Sequence, residues 1–209
     1  ICNILGARIK DLSGIISLAG TSIRGDSILQ IQTRLISKSK NASDIELDIT
    51  QGYNKEIFQT IVASSSPAEA KNELKKISKK WTKTMSKNDI IKKNEKKDVI
   101  HSVSQTMLNP WMYEFVKYSP SIDIKKITCH VLVLIGSKDI QVTSSENIKG
   151  YKDLLPKNKK LHTIKELNGL NHLFQKCITC TVSEYGQLEE TFSMDAMEEI
   201  RDFLQEIWN

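Results

Sequence analysis

The sequence predicts an α/β protein: three mostly parallel strands with flanking helices, interrupted by an all-helical insertion. Three observations carry that expectation. The run Val131-Leu132-Val133-Leu134-Ile135 is apolar without a break, which suits a strand buried on both faces. A second short run, Gly14-Ile15-Ile16-Ser17-Leu18-Ala19-Gly20, is bounded by glycines and follows a helical pattern, the order expected of a parallel sheet. Between the two runs, residues 27–108 carry helical periodicity and no convincing strand.

Taken in order, Ile1, Ile4, Leu5, Ile9 and Leu12 fall at helical spacing, so the chain opens within or at the end of an amphipathic helix. After the first strand, Thr21 to Asp26 reads as a loop at its carboxyl end, where ligands of open α/β sheets gather. Asp26 is suited to cap a helix bearing Ile28, Ile31 and Leu35, and a second helix runs through Ile45, Ile49, Tyr53, Ile57 and Ile61. Ser66-Pro67-Ala68-Glu69 combines a capping box with proline at the first helical position, opening a helix with Ala70, Leu74, Ile77 and Trp81 on one stripe. A lysine-rich connection leads to a further helix around Val99, Ile100, Val103 and Met107. Asn109 to Tyr118 holds four aromatics and is expected to return the chain to the sheet, packing between sheet and insertion. Beyond the central strand come a helix through Ile148, Tyr151, Leu154 and Leu155 and a strand over about residues 161–167. Ser193 opens a closing helix with Met197, Ile200, Leu204 and Ile207 facing the sheet. The division expected is 1–26 (helix end and strand), 27–108 (helical insertion) and 109–209 (remaining α/β core).

A hydrophobic fraction of 39% and a charged fraction of 26% are ordinary for a folded domain, and no apolar run is long enough to span a bilayer. The first ten residues lack an initiator Met and a basic region ahead of their apolar positions, so they do not read as a signal peptide; no compartment is indicated. The net charge of +5 comes largely from lysines at 71–97 and 157–160. Arginines and interleaved aromatics are lacking there, so a solvated helical face is expected and no nucleic-acid partner. Cys177-Ile178-Thr179-Cys180 has C-x-x-C spacing but neither a second cysteine pair nor a βαβ context, and reads as incidental thiols rather than a metal or redox centre.

Asp139, four residues past the central strand, and His172, in the loop after the last strand, follow the chain order acid then base. A serine hydroxyl is a weak nucleophile until an imidazole accepts its proton, and that imidazole needs a carboxylate to fix its tautomer. Asp153 within a helix and Glu166 within a strand suit that role less well. His101, His130 and His162 read as structural or surface residues. On spacing alone Asp139 is equally a turn former and His172 a polar loop residue. No Gly-x-Ser-x-Gly occurs, and Ser137 lacks a glycine-flanked elbow, so the nucleophile is not identified among these residues.

Ordered matches along nearly the whole chain carry a family resemblance: Ile15 to Thr21, Gly25-Asp26, Asn109-Pro110-Trp111, Gly136-Ser137-Lys138-Asp139, Gly169-Leu170-Asn171-His172-Leu173-Phe174-Gln175 and Ser183 to Phe192. By these the chain resembles the carboxyl-terminal half of the α/β-hydrolase superfamily, in its branch of bacterial esterases and serine-aminopeptidase-like hydrolases. The resemblance implies Asp139 as triad acid, His172 as general base and the helical insertion as a lid over an acyl pocket. It places the nucleophile elbow immediately upstream of Ile1, with the oxyanion donors also outside these residues. The activity implied is hydrolysis of a small-molecule ester through an acyl-serine intermediate, without metal or organic cofactor. Peptide or amide hydrolysis, and a non-catalytic truncated or binding module, are the alternatives. The missing amino-terminal half is then an expected partner.

Overall fold

The computed structural model describes residues 1–157 and 162–208. Its elements are α1 (Cys2–Arg8), β1 (Gly14–Leu18), α2 (Gly25–Ser39), α3 (Asp44–Ala63), α4 (Pro67–Lys87), α5 (Lys96–Met107), α6 (Pro110–Lys117), α7 (Ser121–Ile124), β2 (His130–Gly136), α8 (Ser144–Leu154), β3 (His162–Leu167) and α9 (Met194–Trp208). The architecture is mixed α/β, and the chain forms two compact units: residues 1–23 with 119–209, and residues 24–118. Leu161, expected in the last strand, lies outside the described residues.

In the first unit the strands form one parallel sheet in the order β1-β2-β3, with Ile15 opposite Val131 and Val131 opposite His162. Val131 to Ile135 are fully buried, as the unbroken apolar run requires of a central strand covered on both faces. Val131, Val133 and Ile135 face a cluster with Ile15, Ile124, Ile127 and Tyr151, whereas Leu132 and Leu134 face Leu170, Phe174, Ala196 and Phe203. The closing helix packs Ile200 and Ile207 as expected, but its stripe is centred on the buried Ala196 and Phe203, and Met197 is 43% exposed. Phe203 contributes more apolar area than Met197, and the helix turns to bury it.

Polar side chains pin the turn after β1. The buried Tyr151 hydroxyl bonds Ser17 Oγ at 2.9 Å and donates to Asn3 Oδ1 at 3.1 Å, tying α8 to β1 and α1. Asn147 accepts from the Ser22 amide at 2.8 Å, and its own carbonyl accepts from Ser22 Oγ at 2.8 Å. Each is a buried polar group with its partner supplied, the condition under which such burial is tolerated.

The helical unit is built on α3 and α4, whose Tyr53, Ile57, Phe58, Ile61, Ala70, Leu74 and Ile77 form its core with Tyr113 and Val116 of α6. Ser66 caps α4 by accepting from Glu69 N at 3.3 Å, and the Glu69 carboxylate reaches back to Ser65 N at 2.7 Å, one residue before the reciprocal bond of a standard box. Three expectations shift here. Asp26 lies in the first turn of α2 rather than at its cap, which is Arg24. Ile45 is 62% exposed and leaves the apolar stripe of α3. Residues 109–118 pack within the helical unit, so its limits are 24 and 118 rather than 27 and 108. The reason is steric: α2 meets α6 so closely that a Cβ on Gly25 would stand 1.8 Å from the Phe115 carbonyl oxygen. Of the aromatics there, Tyr113 is buried with its hydroxyl 2.9 Å from Ser64 Oγ, whereas Trp111 is 66% exposed and stacks on Phe115.

Candidate active site

The site is assembled at the carboxyl ends of β2 and β3. Gly136 closes β2, and Ser137, Lys138 and Asp139 turn away from it, with Asp139 N donating to Gly136 O at 3.2 Å. The turn then uses the Asp139 side chain: Oδ1 accepts from Gln141 N and Val142 N, both at 2.8 Å. That is the local bonding expected of an aspartate in a turn. The other oxygen, Oδ2, lies 2.8 Å from His172 Nδ1. The Asp139 side chain is wholly buried and that of His172 is 26% exposed, so the acid is screened from water and the ring reaches it. With Nδ1–H donating to the carboxylate, Nε2 is the acceptor nitrogen, available to take a proton from a partner.

The loop carrying His172 is held from both sides. Ser137 N donates to Leu167 O at 2.9 Å and Lys138 N to Leu170 O at 3.0 Å, tying the end of β2 to the chain leaving β3. Ser137 Oγ accepts from Gly169 N at 2.9 Å, so this hydroxyl works as a loop bridge. The completely buried Asn171 is the second anchor: Oδ1 accepts from Leu173 N at 2.9 Å and Gln175 N at 3.0 Å, and Nδ2 donates to Gln175 Oε1 at 3.0 Å. Phe174 adopts φ 59° to complete the turn and is buried against Phe192. Gln175 Nε2 donates onward to Tyr185 O at 3.1 Å and Glu190 O at 2.9 Å. Asn171→Ala leaves buried donors unpaired and is expected to cost about 2–4 kcal/mol; any turnover that depends on His172 should fall roughly 10²-fold through misplacement of the ring. Thermal melts and kcat on the same preparation test this, and an unchanged melt removes Asn171 as an anchor.

Tyr185 borders the pair, its hydroxyl accepting from Gln141 Nε2 at 3.2 Å. Burial pushes its phenol above the ordinary value, and the Asp139 carboxylate pushes the same way against the Gln141 hydrogen bond, so the hydroxyl stays protonated at neutral pH.

Of the other expected site features, His130 and His162 begin β2 and β3, at the end of the sheet opposite Asp139. Burial, with the neighbouring His130, holds the His162 imidazole below its usual range. Asp153 pairs with Lys149 on α8, and Glu166 is exposed on β3. Among the nearby acids weighed from sequence, only Asp139 meets His172.

Cys177 and Cys180 are not two separate thiols but a disulfide, with Cα atoms 4.9 Å apart. Glu184 could complete a three-ligand group with them, yet its carboxylate accepts from the amides of Ile178, Thr179 and Cys180 at 2.7–3.1 Å and the sulfurs are bonded to each other. No metal site is drawn from them. Burial raises the Glu184 pKa, but the amide donors outweigh it and hold the carboxyl below the usual range. A carboxyl depressed on folding stabilises the fold fully above its unfolded pKa, and the contribution fades as pH falls through the folded value. Melting temperature should therefore drop below about pH 4.5 more steeply in the parent protein than in Glu184→Gln. Parallel pH profiles for the two proteins rule this out.

No family model, curated protein or solved structure matches this chain. The site therefore rests on its own geometry. Sequence reasoning singled out Asp139 and His172, which the fold brings together, and overlooked Asn171, Gln175, Tyr185 and Glu184. Asn171, directly before His172 in Leu167-Asn168-Gly169-Leu170-Asn171, carried a usable signal, since asparagine side chains habitually bond the backbone two residues on. The other three act across 4–44 residues and left no pattern that sequence reasoning used.

Proposed function

We propose that Asp139 and His172 are the acid and general base of a serine hydrolase of the α/β-hydrolase type that cleaves a carboxylic ester through an acyl-serine intermediate. One observation carries the reading: a single buried carboxylate makes its turn with one oxygen and holds His172 Nδ1 at 2.8 Å with the other. The turn needs only the first oxygen. The second fixes the imidazole tautomer and stabilises the imidazolium formed when Nε2 takes the hydroxyl proton, which it later returns to the leaving alkoxide.

In this reading the nucleophile is a serine outside these 209 residues, and the inserted helical unit is the lid. The edge of β1 supports it: among the described residues β2 is the one strand that pairs with β1, and Leu18 at its end is 41% exposed, as where a sheet continues. Esters and amides share this chemistry, and a substrate panel separates them. The test is to treat the full-length protein with a tagged fluorophosphonate and to locate the label. Labelling of one serine, abolished by His172→Ala in a protein that still melts cooperatively, is the expected result. A folded protein that takes no label leaves the pair as a structural clamp in a non-catalytic module.

A further inference from the structure

The helical unit contains a groove of about 750 Å³ between α4 and α5. Lys71, Lys75 and Lys79 recur every fourth residue of α4 and so share one face, while Lys97, His101 and Gln105 do the same on α5; all six line the groove. These lysines are exposed, as expected from the sequence, yet they gather around the groove without counter-charges. Lys76 and Lys80, which point elsewhere, pair with Glu73 and Glu56. Lys71, Lys75, Lys79 and Lys97 form no ion pair among the described residues, and no carboxylate lines the groove. Like charges one turn apart destabilise a helix unless something neutralises them. Here three such charges on α4 converge with a fourth from α5 on one concave surface.

We propose that this groove binds a small molecule carrying two or more phosphate groups. Lysine ammoniums are point charges that bind phosphate without demanding a fixed geometry, which suits clustered phosphates of variable spacing. Gln105, Asn72 and Ser104 add uncharged polar groups for further oxygens, while Ile100, Leu108 and the lysine stems offer apolar contact to an organic portion. The volume lies within the range of small-ligand sites. The same clustered phosphates could be free in solution or displayed on a lipid headgroup, and the two sources are separable.

The experiment titrates tripolyphosphate into the full-length protein by calorimetry at about 50 mM salt, where screening is weak. Saturable binding is expected, roughly tenfold weaker in Lys75→Gln/Lys79→Gln. Lys83→Gln/Lys87→Gln removes the same charge from the same helix outside the groove and should bind within about twofold of the parent. The four lysines replaced in the two variants are exposed, so equal melting temperatures verify that the variants fold. Equal weakening in both double variants would reduce the effect to diffuse charge and overturn the site. Absence of binding overturns it as well, and so does sedimentation with phosphatidylserine vesicles without binding of tripolyphosphate, which would make the surface a membrane contact.

Discussion

On the proposed hydrolase reading, Asp139→Asn should lower turnover by about 10⁴-fold while leaving the protein folded. Asparagine keeps the shape and an oxygen that accepts from Gln141 N and Val142 N, so the turn survives. The amide nitrogen then faces His172 Nδ1 and can only donate, which forces the ring into the tautomer with Nε2–H and removes its capacity to accept a proton. Asp139→Ala separates this effect from folding. It strips the acceptor from both amides, one of them fully buried, and should cost about 2–5 kcal/mol of stability in addition. Steady-state kinetics and thermal melts on both variants decide the matter: comparable losses of stability would show that asparagine does not keep the turn, and normal turnover in the asparagine variant would remove Asp139 from the mechanism.

Gly136→Ala should cost the protein much of its stability. A Cβ there would stand 2.1 Å from Leu170 O, 2.7 Å from Leu170 C and 2.8 Å from Asn171 O. These are backbone atoms of the loop that carries His172, already tied to β2 through Lys138 N, so no flexible side-chain end can yield. Either β2 or the loop must move, at a cost of about 3 kcal/mol or more, equivalent to roughly 6–12 °C in melting temperature for a chain this long. Because the part that moves carries Asn171 and His172, any turnover that depends on His172 should fall with stability. Gly186→Ala is the control: nothing lies within 4 Å of the added methyl, and a change within about 0.5 kcal/mol is expected. Equal melts for the two variants would refute the close approach.

Much of this architecture was legible one segment at a time. Val131 to Ile135 had no polar residue to turn toward water, so a central buried strand was its only comfortable state, and the cap at Ser66 with Pro67 and Glu69 needed no distant partner. Asp139 and His172 were visible because each follows a strand whose end fixes its position. Trp111, Met197 and Ile45 were misplaced from sequence because an apolar residue at helical spacing shows that a face exists, not which of two adjacent stripes packs best.

The sequence by itself determined the elements, the parallel α/β order and the two residues at adjacent strand ends. Only the tertiary structure decided that Asp139 Oδ2 reaches His172, that Asn171 and Gln175 hold the loop, and that Cys177 joins Cys180. It alone gathered the lysines of α4 and α5 around one groove. Periodicity and capping are local properties encoded within a few residues, whereas a hydrogen bond across 33 positions depends on how strands register and where the loops between them close.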